Sequence, residues 1–480
     1  MFYFFRDEKY TNNILTFLKS SFTYSFTYIK SMAICSTIPL LSFSENMKNI
    51  EYYSCNVLMT FQTIYYSTTE YIYYLICLQS FKEFVIRLIK KLSEINMLYT
   101  KLFQWVYLDS FFNDEDIKKV FQTFTDFVKI EEEEIDYMVI WSLLTKDRDL
   151  HFSSLKPFHA GTVSVTFEAR LRDKPVIVKV LRKGIDKNLQ KSVSFLLFIA
   201  KILSYLPYTC DFQLYDIMTE NIDSLLSQSD LSIEGKQTEK FHNFLQCHEH
   251  LYSPRVYYFS KEIMVQEYVY GLNVYDLGQL EDSIRHMICS SVYEFIFHSM
   301  CELGTFHGDM HPGNVLFIVD KCCSSKTDDY MVNFIDYGIT YEVKEEKRSK
   351  IMRIIWMLSE SGDKEFFEFL CEHGIKSRYD SHIETNLTNV CKSKIVEELV
   401  ELRQKYDVFR NTIKPLDIYY TNKVLVKYNL RIHPEFSRAF MFLYSMCSLM
   451  NILKSVDMTL YKKCLKVYFA MNHEKLKLLI

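Results

Sequence analysis

The chain has 480 residues, 49% hydrophobic, 24% charged and 16% aromatic, with 56 Lys+Arg against 60 Asp+Glu and a net charge of −4. Such a length accommodates two to three domains around a large core, and the hydrophobic fraction excludes global disorder. The near-balanced charge excludes the basic footprint of a nucleic-acid binder, while 11 glycines and 8 prolines exclude collagen-like, linker-like and Pro-rich chains.

Glycine is about 2% of the chain, against a usual share of about 7%, so each glycine is informative. The 13 cysteines are odd in number and lie between Cys35 and Cys464 without a C-x-x-C. The adjacent pair Cys322-Cys323 is badly placed to bridge. A reduced, intracellular setting is expected, cytoplasmic or at the periphery of a membrane.

Taken in order, Met1 to Phe5 followed by Arg6, Asp7 and Glu8 lacks the layout of a secretory signal and is neither Arg-rich nor acid-free like a mitochondrial presequence. Only Pro39 and Pro157 precede the first glycine, Gly161, so the N-terminal region reads as long helices. The aromatic stretch Tyr52 to Phe81 carries Glu70 and many hydroxyls, and reads as helical packing surface, with interfacial membrane or lipid contact as the alternative. Glu131 to Glu134 reads as a solvated helix face. Ala169 to Val180 predicts two strands around an Asp173-Lys174-Pro175 turn, the second β-branched. Further strands are expected at Arg255 to Phe259 and Ile263 to Val269.

Ile284, Met287, Ile288, Val292, Phe295, Ile296, Met300 and Leu303 form a helical stripe that ends at a C-cap, Gly304. Short strands follow at Val315 to Val319 and Val332 to Ile335, separated by the polar insertion Lys321 to Asp329. From Tyr341 the chain reads as helical to its end. There Ala439 to Leu453 is uncharged for 15 residues between Arg438 and Lys454. That is short of the roughly 20 residues of a spanning helix, and predicts a buried one.

The densest chemical signal is His307-Gly308-Asp309-Met310-His311-Pro312-Gly313-Asn314, followed by Asn333-Phe334-Ile335-Asp336-Tyr337-Gly338. An Asp, an Asn five residues later, a strand and then Asp-x-Gly is the layout of a kinase catalytic loop and metal-binding turn. Asp309 can orient or deprotonate a hydroxyl, while Asn314 and Asp336 can hold Mg²⁺ on the triphosphate oxygens of ATP. Gly338 is expected at positive φ. Lys179, in Val-Ile-Val-Lys-Val, fits the strand lysine that holds the α/β-phosphates. Upstream, Ala160, Gly161, Thr162, Val163 and Ser164 form a loop of small residues whose backbone N–H groups can cradle phosphate. Two metal readings compete: His307 and His311 flanking Asp309, and His242, Cys247, His248 and His250. Neither shows the three or four ligands at matched spacing of a zinc site, and the second reads as a polar helix end and loop.

Here a family resemblance becomes specific. Pro157 to Val165 resembles the Ala-rich loop of the UbiB/AarF-domain (ADCK-type) atypical kinases. Val178-Lys179-Val180-Leu181-Arg182-Lys183-Gly184-Ile185 is similar to that family's segment around its phosphate-binding lysine, and His307 to Asn314 to its His-Ala-Asp-Pro-His-Pro-Gly-Asn loop. Lys101-Leu102-Phe103-Gln104 resembles its Lys-x-Gly-Gln motif. The resemblance implies an α+β, two-lobed protein-kinase-like fold with a predominantly helical N-terminal extension. Residues 1–90, which the resemblance does not reach, would be a helical region of unknown role, and 91–150 a helical extension with the Lys-x-x-Gln motif. Residues 151–270 would form the N-lobe and 271–480 a helical C-lobe.

It further implies that Glu234 pairs with Lys179 and that Gln266, Glu267, Tyr268 and Val269 form the hinge that receives adenine. Lys101 and Gln104 would belong to an extension folded over the peptide site. The implied activity is Mg-dependent ATP binding with phosphoryl transfer or hydrolysis, linked to isoprenoid lipid or quinone metabolism. A non-catalytic nucleotide-binding scaffold and a small-molecule phosphotransferase resembling the aminoglycoside/choline kinases are the alternatives. Phe103 stands for the motif glycine, Gln228 for a Glu, Gly161 for an alanine and Val165 for a glutamine. These departures bear on the family's self-inhibited geometry rather than on nucleotide binding.

Overall fold

The computed structural model describes residues 43–76, 80–99, 131–146, 149–205, 214–274, 282–310, 312–319, 330–360, 362–378, 389–406, 409, 415–440, 443 and 449. The chain divides into two compact units, Met1–Phe124 and Thr125–Ile480.

In the first unit α1 (Phe43–Ile76) packs against α2 (Phe81–Ile95). Ser80 starts α2 through a capping box with Glu83, in which each side chain satisfies the other's backbone N–H. Val85 and Ile89 are buried, and Glu70, the one charge in the aromatic stretch, is buried against Arg87 at 2.7 Å. Leu58, Phe61, Tyr65, Ile72 and Leu75 of α1 stay exposed. Their spacing puts them on one stripe of the helix. Among the described residues no helix is long and apolar enough to cross a membrane.

The second unit includes α3 (Tyr137–Lys146) and an antiparallel sheet: β1 (Leu150–Phe152), β2 (His159–Ala160), β3 (Ser164–Leu171), β4 (Lys174–Leu181), β6 (Val256–Phe259) and β7 (Ile263–Glu267), in the order β1-β3-β4-β7-β6 with β2 also on β3. The β3–β4 hairpin turns at Arg172 and Asp173, both at positive φ, as a two-residue primed turn requires. Asp149 supports that turn, its carboxylate 2.9 Å from Arg172 Nε. One face of the sheet buries Val165, Phe167, Val176, Val178, Val180 and Val265 against Ile140 and Leu143. Helices α4 (Ile185–Leu203), α5 (Leu214–Leu226) and α6 (Leu231–Leu245) occupy the connection between β4 and β5 (Leu251–Tyr252).

A second, separate core is built on α7 (Asp282–His298), which continues into a π turn, Ser299–Leu303. Gly304 stops it at φ +66°, the expected C-cap. Then come β8 (Thr305–His307), β9 (Val315–Val319), β10 (Tyr330–Phe334), β11 (Thr340–Glu342), α8 (Glu345–Glu360), α9 (Asp363–His373), β12 (Ile375–Ser377), α10 (Asn389–Tyr406), α11 (Pro415–Val426) and β13 (Leu430–Ile432). β9 and β10 pair antiparallel, β5 joins β10 in parallel, and β8 pairs with β11. Two cores, one under a sheet and one among helices, make an α+β, two-lobed kinase-like fold.

The expectation of helix from Tyr341 to the end is corrected by β11 and by the β12–β13 ladder. Each of these strands is three residues long, too short for a periodic signal. Glu131 to Glu134 is likewise more than a solvated face. It forms a 3₁₀ turn in which Glu134 accepts a bond from the buried Arg182 at 3.2 Å. Ala439 is buried, as a packed helix requires; most of Ala439 to Leu453 lies outside the described residues.

Candidate functional site

Alternation along β4 turns Val176, Val178 and Val180 into the sheet core and Lys179 to the opposite face, across from Met264 of β7 and Thr166 of β3. Over that face runs α6. Its N-cap is Asp230, whose Oδ1 accepts the Ser232 N–H at 2.9 Å, and its first turn carries Glu234. Gly235 permits the close approach: a Cβ there would lie 2.6 Å from Cγ of Phe259 in β6. Lys179 Nζ consequently donates to Glu234 Oε1 at 2.5 Å, with both side chains about nine-tenths buried.

The same ammonium donates to Asp336 Oδ2 at 3.0 Å. Burial by itself would lower the Lys179 pKa, but the Asp336 and Glu234 carboxylates outweigh it and hold the ammonium above its ordinary value. Asp336 lies just after β10, and its Oδ1 accepts the Gly338 N–H at 2.9 Å. Gly338 is not at positive φ, contrary to expectation. What it supplies is space, since a Cβ there would sit 3.2 Å from Asp336 Oδ1 and 3.7 Å from Glu234 Oε2.

Asp309 follows β8. Its N–H donates to Nδ1 of the fully buried His307 at 3.2 Å, so His307 shapes the loop from within. His311 lies outside the described residues, and with it half of the His-x-Asp-x-His reading. Gly308 donates to Ile339 O at 2.7 Å, and a Cβ there would lie 2.6 Å from Ile339 Cγ2. Asn314 Nδ2 donates to Asp309 O at 3.0 Å, and Asn314 O accepts from Ile335 N–H at 3.1 Å, one residue before Asp336. The structure therefore brings Lys179, Glu234 and Asp336 into direct contact and ties Asp309 and Asn314 to them through the backbone.

The small-residue loop joins β2 to β3. Ala160 is buried, and Gly161 N–H donates to Ser164 O at 2.9 Å. That donor is committed to the hairpin, which leaves Thr162, Val163 and Ser164 to supply any phosphate cradle. Val163 O in turn accepts from Arg182 N–H at 3.0 Å. At the end of β7, Glu267 Oε2 accepts Tyr252 O–H at 2.5 Å and Arg255 N–H at 3.1 Å, and Tyr268 N–H donates to Pro175 O at 3.2 Å. Val269 follows directly. Gln266 pairs with Ile177, so its side chain shares the face of Lys179. It is 4% exposed and its Oε1 has no hydrogen-bond partner among the described residues. Lys101, Phe103 and Gln104 lie outside the described residues.

Two contributors have structural roles that the sequence does not signal. Lys240 of α6 donates to Thr305 Oγ1 at 2.7 Å and Glu342 Oε1 at 2.8 Å, fastening the helix of Glu234 to the strands beside the Asp309 loop. Tyr337 is buried and stacks on Phe241 of α6. Their partners are far away in sequence, and each alone reads as an ordinary surface lysine or core aromatic.

A family model described as the ABC1 atypical kinase-like domain matches residues 111–370, more than half of the chain. A probable protein kinase UbiB of Blochmanniella pennsylvanica is 28% identical over 166 residues, which is 33% of this chain and 30% of that one. An uncharacterized chloroplastic aarF domain-containing protein kinase of Arabidopsis thaliana is 27% identical over 197 residues, 38% of this chain and 34% of that one. The chain thus spans about a third of the length of these curated relatives. Among solved structures, the complex of Rv3197 with erythromycin from Mycobacterium tuberculosis aligns with 65% of this chain and 84% of its own, at 15% identity and a TM-score of 0.36. The Rio2 kinase–ADP/Mg²⁺–phosphoaspartate complex from Chaetomium thermophilum aligns with 75% and 85%, at 11% identity and a TM-score of 0.30.

Proposed function

Because the chain belongs to the ABC1 atypical kinase-like family, we propose that it binds Mg·ATP and transfers the γ-phosphoryl group to a hydroxyl acceptor or to water. The observation that carries this reading is the buried Lys179 held between Glu234 and Asp336. Lys179 would neutralise the α/β-phosphates, and Glu234 would fix the ammonium in place. The Ala160 to Ser164 loop would cover the phosphates, and Gln266 to Val269 would receive the base.

The donor set suits Mg²⁺, a hard cation that takes oxygen ligands. Asn314 spends its amide nitrogen on Asp309 O, which leaves the amide oxygen as a ligand beside the Asp336 carboxylate. When bound, the ion would neutralise charge developing on the triphosphate oxygens. Asp309 would orient the acceptor and take its proton as the new P–O bond forms and the bond to ADP breaks. By the resemblance, Lys101 and Gln104 would belong to an extension that turns the enzyme away from protein substrates.

A link to isoprenoid lipid or quinone metabolism is part of the same proposal, resting on the resemblance. It is supported by the exposed stripe Leu58, Phe61, Tyr65, Ile72 and Leu75, which suits peripheral contact with a lipid surface. Wholly supernatant protein after sedimentation with liposomes would remove that part.

The test of the nucleotide site is the thermal shift of the full chain with Mg·ATP, run beside Asp336→Asn. A ligand at about 100 times Kd stabilises by roughly 2.7 kcal/mol. The expected result is a Mg-dependent shift that Asp336→Asn loses, together with turnover that Asp309→Asn loses. No shift in either protein, both folded, would overturn the reading. A shift without turnover would leave a nucleotide-binding scaffold.

A further inference from the structure

The structure separates the His242, Cys247, His248, His250 cluster. His242 Nδ1 is bound to Ser253 O at 2.7 Å, and His250 Nδ1 to Tyr330 O at 3.1 Å. His248, in the turn after α6, instead meets the end of α7, its ring centroid 4.4 Å from that of His298. His298 is the last residue of α7, and Glu302 lies within the π turn that follows, its Oε1 2.9 Å from His298 Nδ1. One ligand atom from each of His248, His298 and Glu302 lies within 4.8 Å of the other two.

We infer that His248, His298 and Glu302 form a binding site for one divalent transition-metal ion of the zinc class, separate from the proposed Mg²⁺ position. The two imidazoles are borderline donors that favour Zn²⁺ over the oxygen-seeking Mg²⁺, and a carboxylate oxygen serves zinc as a third ligand. Tetrahedral bonds of about 2.0–2.1 Å place ligand atoms about 3.4 Å apart. The His298–Glu302 pair is already closer than that, at 2.9 Å, and a His248 ring nitrogen lies within 4.8 Å of both. Both histidines are half-buried and Glu302 is exposed, so solvent can reach the ion and water can fill its remaining position. The Phe244 ring, 5.3 Å from that of His248, limits where the imidazole can turn.

The backbone supports the same assignment. A π turn in a helix is rare and recurs at functional sites; here it is closed by Gly304 at φ +66°. An ordinary i, i+4 His–Glu pair would need neither that turn nor a second imidazole. The ion would join the end of α6, the helix of Glu234, to the turn that feeds β8 and the Asp309 loop.

The test uses the full chain, stripped with a chelator and titrated with ZnCl₂ in a calorimeter, then with CoCl₂ under visible absorption. Wild type is expected to take one more equivalent of zinc than His298→Asn or Glu302→Gln, and to give four-coordinate cobalt bands without thiolate charge transfer. Glu302→Gln alters an exposed, near-isosteric side chain, so it keeps the test valid if His298→Asn folds poorly. Equal stoichiometry in wild type and Glu302→Gln would overturn the site. So would cobalt bands of thiolate character that neither substitution changes.

Discussion

The ring of Tyr337 stacks on that of Phe241 with centroids 4.4 Å apart and an interplanar angle of 23°. Tyr337 follows Asp336 in the turn, and Phe241 lies two turns along α6 from Glu234. This apolar contact therefore holds in register the two carboxylates that share Lys179. Tyr337→Ala should cost about 3–5 kcal/mol, the range for truncating a large buried aromatic, and abolish the Mg·ATP thermal shift. Tyr337→Phe keeps the ring and should retain the shift. Melting curves of the three proteins with and without nucleotide check this.

Gly235 sets how near α6 comes to the sheet. A methyl group there would meet both Cγ and Cβ of Phe259 inside 3 Å, atoms too close to the backbone to swing aside. Gly235→Ala should thus displace α6 at a cost of about 1–3 kcal/mol, as overpacking does, and draw Glu234 away from Lys179. The expected outcome is a folded protein whose affinity for Mg·ATP falls more than its melting temperature does. Unchanged affinity would mean that Glu234 reaches Lys179 without this close approach.

His433 gives the fold an acid-sensitive point. Burial, then the charges of Lys347, Lys376, Arg431 and Arg438, press its pKa down to about 4. Its Nδ1 accepts the Glu435 N–H at 3.3 Å at the head of the helical segment 434–440. A depressed folded-state pKa means that the neutral form is favoured by folding. The contribution is complete above the unfolded value near 6.5 and is lost as pH falls from there towards 4. The ring is partly solvated, so on the order of 1–2 kcal/mol is expected after screening. His433→Asn caps the helix without titrating and should flatten the decline in melting temperature between these pH values.

What could be read in the sequence was what repeats locally. The stripe from Ile284 to Leu303 announces α7, and the β-branched run around Lys179 announces β4. The ordered Asp309, Asn314 and Asp336 announce a site because all three fall within 28 residues. Contacts closed over long separations were not legible. Lys240 meets Glu342 and Phe241 meets Tyr337 only because α6 crosses both β8–β11 and the Asp336 turn. Two- and three-residue strands such as β5 and β8 exist through their pairing partners and leave no periodicity of their own.

Gln266 joins both kinds of information. Its place in Ile-Met-Val-Gln-Glu-Tyr-Val marked a hinge whose backbone would receive adenine. The β4–β7 register adds that its side chain faces the same way as Lys179, opposite Ile177. At 4% exposure with Oε1 unpartnered among the described residues, the amide oxygen carries a desolvation cost that a donor on the base would remove. The exocyclic amine of adenine is such a donor, whereas guanine presents a carbonyl oxygen there. Gln266→Leu preserves the bulk of the side chain and removes the acceptor. It should therefore weaken Mg·ATP by about 1–3 kcal/mol while leaving Mg·GTP nearly unchanged, narrowing the gap between the two. Titration of both nucleotides against wild type and variant reads this directly, and equal losses for ATP and GTP would assign Gln266 to packing.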